Sequence, residues 1–141
     1  MAALTITASN VVPASVSGLT PTYERGIAGA AITAGYPVYK DSTDSDKLKL
    51  ADANASEATA QVVGIAVHSA TTGQPVTYQT AGPISYGAIL TKGEIYVLGA
   101  TAGDICPADD LSSGWYTTRL GHAHSTSVLI IDLRVTGVTT T

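Results

Sequence analysis

Hydrophobic residues alternate with small or polar residues along most of the chain, and the clearest stretch covers residues 62–84. In an extended chain this pattern puts three branched residues on one face: Val63, Ile65 and Val67. Gly73 can adopt positive φ in a turn, and Pro75 can open a second strand where its missing N–H does little harm. The stretch therefore predicts two strands joined by a turn.

The same alternation recurs on both sides of this stretch. Residues 38–40 and 48–50 flank a polar turn that contains Asp41, Asp44 and Asp46, which predicts a hairpin. Residues 51–60 are rich in alanine but include turn-forming side chains, so they predict one short helix or helical turn. In all, about eight to ten short strands are separated by frequent turn signals. The predicted fold is all-β, a compact single-domain sandwich or barrel with at most one or two short helical turns.

The pattern also divides the chain into three parts. Residues 1–26 are predicted to be an N-terminal arm or edge segment, residues 27–137 the β-domain, and residues 138–141 a C-terminal tail. Leu4 and Ile6 alternate with threonines in the arm. We expect this segment either to pair with a neighbouring subunit, which makes Leu4 and Ile6 interface candidates, or to be a frayed terminus.

Composition favours a scaffold protein. Of the 141 residues, 45% are hydrophobic but only 13% are charged, and there is no Phe. Small branched residues suit closely packed sheets. Low charge is typical of a protein that works inside an assembly. A small β-domain with a threonine-rich surface explains the composition equally well.

Charge and cysteine content exclude several classes. The net charge is −4 and the seven Lys and Arg residues are scattered, so direct nucleic-acid binding is not expected. Cys106 is the only cysteine, which precludes an intramolecular disulfide and fits a reducing compartment. Residues 1–12 lack the features of a signal peptide, and no apolar run approaches about 20 residues, so no membrane segment is expected.

The chain carries no standard catalytic motif, and we predict no catalytic residues, no metal and no cofactor. His122 and His124 would project from one face of a strand, where Asp132 or His68 could complete a metal site. The alternative is a polar, subunit-facing pair, so both histidines are interface candidates. Cys106 is better explained as a small buried residue than as a nucleophile, and the aspartate-rich turn better as a solvated hairpin turn than as a Ca²⁺ site.

Aromatic residues supply the remaining candidates. Tyr39, Tyr78 and Tyr96 lie within apolar runs and are predicted to be core residues. Trp115 and Tyr116 follow a Ser-Ser-Gly turn and are candidates for an interface with another subunit or, alternatively, for a sugar-binding face.

The order of several strand–turn motifs resembles the capsid cement or decoration proteins of tailed phages. The motifs are AGYPVY at 34–39, VVGIA at 62–66, GQPV at 73–76, GEIY at 93–96, AGDI at 102–105 and LGHA at 120–123. The similarity covers residues 27–137. Each motif is of low specificity, and only their order and spacing carry weight.

This resemblance implies a non-enzymatic virion protein on the capsid exterior, synthesised in the host cytoplasm. It implies a homotrimer whose partner is the major capsid protein of the expanded head, with no nucleic-acid or membrane contact. Three alternatives stay open at this point. They are another phage structural β-domain (tail tube, head fibre or receptor-binding), a carbohydrate-binding module that uses Trp115 and Tyr116, and a small metal enzyme built on His122 and His124.

Overall fold

The computed structural model describes Leu4 and residues 6–139, and it confirms an all-β fold. The described residues form ten strands: β1 (Val12–Pro13), β2 (Thr22–Ile27), β3 (Pro37–Asp41), β4 (Lys47–Leu50), β5 (Gly64–Ala66), β6 (Pro75–Ser85), β7 (Ile95–Leu98), β8 (Ile105–Pro107), β9 (Tyr116–Ala123) and β10 (Val128–Thr139). They make one curled sheet with the order β4-β3-β5-β6-β10-β9-β7-β8, and β1 and β2 also pair with β6. Both predicted hairpins, β3–β4 and β5–β6, are confirmed.

Strand β6 joins the two halves of the molecule. Its first part pairs with β2 and β5, and its last four residues pair with β10, while β1 pairs at Ile84 and Ser85. The change of partner occurs at Gly82, whose φ is +90° and where a Cβ atom would lie 2.8 Å from backbone atoms of Thr20 and Pro21. Only glycine fits such a position without displacement of the neighbouring chain.

The smaller half is curled around its own core. Strands β2, β6, β5, β3 and β4 follow one another, and Ala28, just after β2, forms a parallel bridge with Leu48 in β4. Gly26 lets the Leu48 side chain approach, because a Cβ atom there would lie 2.9 Å from Leu48 Cδ1. The buried residues of this half are Ala28, Ile32, Val38, Leu48, Ala66, Ala70, Val76 and Tyr78.

The larger half contains the main core, built by β6 to β10, by Ile65 of β5 and by loops from the first half. Its bulkiest buried members are Ile65, Ile84, Tyr86, Tyr96, Leu98, Ile105, Leu120 and Leu129. Tyr86 is fully buried, and its hydroxyl donates a hydrogen bond of 2.7 Å to the carbonyl of Gly35. In β9, Gly121 packs so closely against the carbonyl oxygen of Ile130 that a side chain there would collide with it.

Part of the N-terminal segment, predicted to be an arm or edge segment, belongs to the sheet. Thr22–Ile27 is a strand of the sheet, and Val11 is buried in the main core. The Leu4 amide donates to the Ile105 carbonyl at 2.8 Å. These residues pack on their own domain because the side chains of Val11 and Ile6 fill the space beside Gly35. A Cβ atom at position 35 would collide with them. Residues 1–3 and 5 of the predicted arm lie outside the described residues.

The C-terminal strand runs past residue 137, and helical structure in the described residues is confined to short turns, as predicted. Strand β10 continues to Thr139, where it pairs with Tyr116, so it extends two residues into the predicted tail. Residues 140 and 141 lie outside the described residues. The alanine-rich segment forms only a single 3-10 turn at Ala58–Ala60, one of four such turns in the described chain. Its polar side chains bond to nearby amides, as Asp52 does to Asn54 at 2.8 Å, and this competes with helix formation.

Candidate functional site

The two histidines do not form a metal centre in the described part of the chain. His122 lies in β9, whereas His124 follows the end of that strand. The His124 amide donates a hydrogen bond to the Val128 carbonyl. Asp132 contacts Arg119 and Arg134 instead, at 3.8 Å each. His68 accepts a hydrogen bond from the Thr77 amide and is therefore engaged elsewhere. Among the described residues, no group of three or more His, Cys, Asp or Glu is placed to hold a metal ion.

In the aspartate-rich turn between β3 and β4, Asp41 and Asp44 contact the chain's own lysines. Asp41 accepts hydrogen bonds from the Thr43 amide at 3.0 Å and from Lys49 Nζ at 2.7 Å, and Lys49 also lies 3.3 Å from Asp44. The Lys49 and Thr43 hydrogen bonds lower the pKa of Asp41 to about 2. The turn is held by ion pairs at the surface, which supports the interpretation as a solvated hairpin turn.

Cys106 is a buried residue, as predicted. It lies in β8 opposite Val97. Burial, with a smaller contribution from the carboxylates of Asp110 and Asp104, raises the pKa of the thiol to about 11. The thiolate is the nucleophilic form of cysteine, so at neutral pH this thiol is poorly suited to nucleophilic catalysis.

A pocket with a volume of about 570 Å³ lies beside β8. The β7–β8 turn forms one wall, and the 3-10 turn at Ala108–Asp110 and the loop that leads to β9 form the other. Its lining residues are Gly99, Ala100, Thr101, Asp104, Cys106, Asp109, Asp110, Leu111, Ser112 and Trp115. We call this feature the Trp115 pocket.

Local backbone contacts fix the walls of the Trp115 pocket. The Gly99 amide donates to the Asp104 carbonyl at 2.9 Å, and the Asp104 amide donates to Thr101 at 2.9 Å, which closes the β7–β8 turn. On the opposite wall the Trp115 amide donates to the Ser112 carbonyl at 3.2 Å. The indole is half-buried and packs against the main core.

The Trp115 pocket is acidic. Asp104, Asp109 and Asp110 line it, and among the described lining residues there is no Lys, Arg or His. Burial raises the pKa of Asp104, and the nearby Asp52 carboxylate raises it further, although a hydrogen bond from Thr101 opposes the shift. The carboxylate of Asp104 is thus ionised at neutral pH at a cost in free energy.

The other sequence candidates are partly buried in their own domain. Leu4, Ile6 and Tyr116 pack against the main core together with Trp115. The Tyr116 amide donates to the Ala53 carbonyl at 2.8 Å. Contacts of these residues, and of His122 and His124, with another subunit stay a prediction.

Among the tyrosines, Tyr78 and Tyr96 are buried as predicted, while Tyr39 is only half-buried. Sequence reasoning missed Tyr86, the other fully buried tyrosine, because it sits between two short apolar runs beside a glycine. It also missed the Trp115 pocket, which Asp109 and Asp110 line. The neighbourhood of two aspartates and the only tryptophan was the available signal.

Comparison with known families identifies a family that the chain matches over most of its length. Residues 6–139 match the sequence profile of a family described as structural cement protein (E217 gp24/Pam3 gp6). No curated protein matches the chain. In the part of the chain that the structure describes, no helix has the length and hydropathy needed to cross a bilayer.

Proposed function

Because the chain belongs to the family of phage structural cement proteins, we propose that it binds the outside of the expanded phage head and stabilises contacts between major capsid proteins. The family assignment itself places the protein in the virion capsid, in association with capsid proteins. The single observation that carries the proposal is the extent of the match, which covers nearly the whole chain.

The surface composition supports binding through many weakly polar contacts. Only 13% of the residues are charged. Exposed apolar side chains include Tyr23 and Ile27, which lie four residues apart in β2 and therefore on one face. Val135 and Val138 near the end of β10 are also exposed. Each contact is weak, and repetition over the shell multiplies their effect.

We further propose that the protein acts as a homotrimer, since trimerisation turns later contacts into intramolecular ones and raises avidity. Exchange of the N-terminal segment between subunits is not part of this scheme, because Leu4 and β1 already bond to their own domain. The role is structural and non-catalytic, without cofactor or direct nucleic-acid contact. The protein is synthesised in the host cytoplasm and joins the capsid afterwards.

The decisive experiment is co-sedimentation of the purified protein with heads of its own phage, before and after expansion. We expect saturable binding to expanded heads alone, with a stoichiometry that matches three-fold sites, and a trimer mass by light scattering. Binding to neither form would overturn the proposal. Presence of the protein in purified tails, with absence from DNA-filled heads that lack tails, would identify it as a tail component instead.

A further inference from the structure

We propose that His68 makes the β5–β6 hairpin sensitive to pH: its neutral imidazole holds the hairpin closed at residues 67–77, and protonation of Nε2 releases that end. The imidazole contacts two backbone groups, one on each side of the hairpin. The device operates in the isolated protein and does not depend on the cement function.

The hydrogen bonds of His68 fix the protonation state of its ring. Nδ1 lies 3.0 Å from the Ser69 carbonyl oxygen, and Nε2 lies 3.0 Å from the Thr77 amide nitrogen. A carbonyl oxygen only accepts and an amide N–H only donates, so Nδ1 carries the proton and Nε2 is the acceptor. These contacts fit the neutral imidazole alone, because the imidazolium form has a donor on both nitrogens.

The imidazole replaces a main-chain acceptor at the point where the two strands separate. The Val67 amide donates to the Thr77 carbonyl at 3.1 Å, but the Thr77 amide donates to Nε2 of His68. In a regular antiparallel ladder, a hydrogen-bonded pair of residues exchanges both bonds through the main chain. The His68 side chain therefore completes the last step of this ladder.

The end of the hairpin that His68 closes also holds the segment between β2 and β3. Ile32 and Ala70 exchange two backbone hydrogen bonds, of 2.8 and 3.0 Å. The Ser69 hydroxyl accepts a hydrogen bond from the Ala34 amide at 3.1 Å. Because Ser69 and Ala70 directly follow His68, release of the imidazole loosens the attachment of this segment as well as the hairpin.

The charged surroundings of the hairpin leave His68 as its pH-sensitive group. The strands that pair with it carry four charged residues: Glu24 and Arg25 in β2, and Lys40 and Asp41 in β3. Residues 26–39, 58–67 and 69–91 contain no Asp, Glu, Lys, Arg or His. Arg25 lies opposite Thr77, and its positive charge disfavours a second cation beside it.

Protonation breaks the contact because it places two donors opposite each other. Histidine is the side chain whose ordinary charge change falls between about pH 5 and 8. Once Nε2 carries a proton, it cannot accept from the Thr77 amide. His68 is exposed, so water supplies the proton and solvates the ring when it turns away. The Thr77 amide then exchanges with solvent more readily.

The first test is the tautomer of His68. Long-range 1H–15N NMR of the isolated protein at pH 7.5 distinguishes a protonated ring nitrogen from an unprotonated one. We expect Nδ1 of His68 to carry the proton and Nε2 to be unprotonated. The signals of the other two histidines are assigned with His122→Gln and His124→Gln. A proton on Nε2 of His68 at this pH would overturn the proposal.

The second test is hydrogen exchange at the Thr77 amide. After correction for the intrinsic exchange rate, its protection should fall about fivefold between pH 7.5 and 5.5, as expected for the loss of one hydrogen bond. The Tyr86 amide, which donates to the Ser127 carbonyl, should keep its protection. Constant protection at Thr77, or an equal fall at Tyr86, would contradict a local opening that depends on His68.

Variants at position 68 make the test specific. His68→Ala removes the acceptor, and His68→Gln replaces the imidazole with an uncharged amide; the exposed position tolerates both. Neither variant should show the fall in Thr77 protection between pH 7.5 and 5.5, and His68→Ala should have low protection at both pH values. His122→Gln is the matched control and should behave as the wild type. A fall that persists in His68→Ala would assign the pH dependence to another group and overturn the proposal.

Discussion

The hairpins β3–β4 and β7–β8 lie at opposite ends of the sheet, and both carry aspartates in or near their turns. The pKa of an aspartate is shifted in opposite directions at the two turns. In β3–β4, Lys49 contacts Asp41 and Asp44 and lowers the pKa of Asp41 to about 2. At β7–β8, burial raises the pKa of Asp104. Asp41 and Asp44 are paired with a lysine of the same chain, whereas the pKa of Asp104 is shifted mainly by burial.

The difference arises from the strand that follows each turn. After the first turn, Lys47 and Lys49 alternate with leucines, so two cations point back toward the aspartates. After the second turn come Ile105 and Cys106, which are buried and uncharged. Turns with similar composition therefore place aspartates in an ion-paired setting at one end of the sheet and in a partly buried setting at the other.

Disruption of the β7–β8 hairpin itself should destabilise the protein more than any change at the β3–β4 hairpin. Gly103 has φ +84°, and a Cβ atom there would overlap Cδ2 of Tyr36. Gly103→Ala should lower the free energy of unfolding by about 2–4 kcal/mol, from backbone strain and overpacking together. Urea denaturation measures this loss. Gly93→Ala is the matched control, because Gly93 has the same φ with no described atom within 4 Å, and about 1 kcal/mol is expected. Equal losses would show that the contact with Tyr36 is unimportant.

Removal of the cation at the other hairpin should have a smaller effect. Lys49→Met leaves Asp41 and Asp44 without their common partner. We expect the melting temperature at pH 7 to fall by no more than a few degrees, because surface ion pairs contribute little. Lys92→Met, at an exposed position in another turn, is the control and should have almost no effect. The same decrease in both variants would contradict the role of Lys49.

Asp41→Asn should lower stability in a pH-dependent way. A carboxyl whose folded pKa is about 2, below its ordinary value of 3.8, stabilises the fold above pH 4, and this contribution is lost as the pH falls through about 2. The variant should melt below the wild type at pH 7, and the two curves should converge near pH 2. Thermal melts monitored by circular dichroism between pH 2 and 7 test this. A difference that persists undiminished at pH 2 would assign the effect to packing.

Asp104→Asn should change stability in the opposite direction and by the smallest amount. Its raised pKa means that the folded state holds the proton more tightly, so the wild type loses stability as the pH rises through the folded pKa. The variant should therefore melt slightly above the wild type at pH 7, with the gain absent below pH 3.8, where the unfolded carboxyl is also protonated. A decrease at pH 7 would show that the carboxylate has a structural role in the turn.

Local patterns predicted the local structure. The hairpins β3–β4 and β5–β6 follow from alternation on both sides of short polar turns, since neighbouring strands with short connections pair with each other. The burial of Tyr78, Tyr96 and Cys106 follows from the apolar runs that contain them. The ion pairs of the first turn were not foreseen, but the solvated turn itself was.

Contacts between distant segments could not be predicted in the same way. The placement of β1 and β2 along β6 joins residues 48 to 73 positions apart, and nothing in the alternation of either segment specifies that pairing. The Trp115 pocket likewise combines a turn at 99–104 with a loop that ends at Trp115. Tyr86 reaches Gly35 across 51 positions. Each depends on the curl of the sheet, which short sequence patterns do not encode.

The burial of Cys106 means that the rate at which its thiol reacts reports local opening of the sheet at β8. With a pKa near 11 and almost no exposure, this single thiol is protected from alkylating reagents while β8 stays in place. Each alkylated subunit therefore records one opening of that edge of the sheet. The half-life of the free thiol in the presence of an alkylating reagent would measure how often this edge opens, without any mutation.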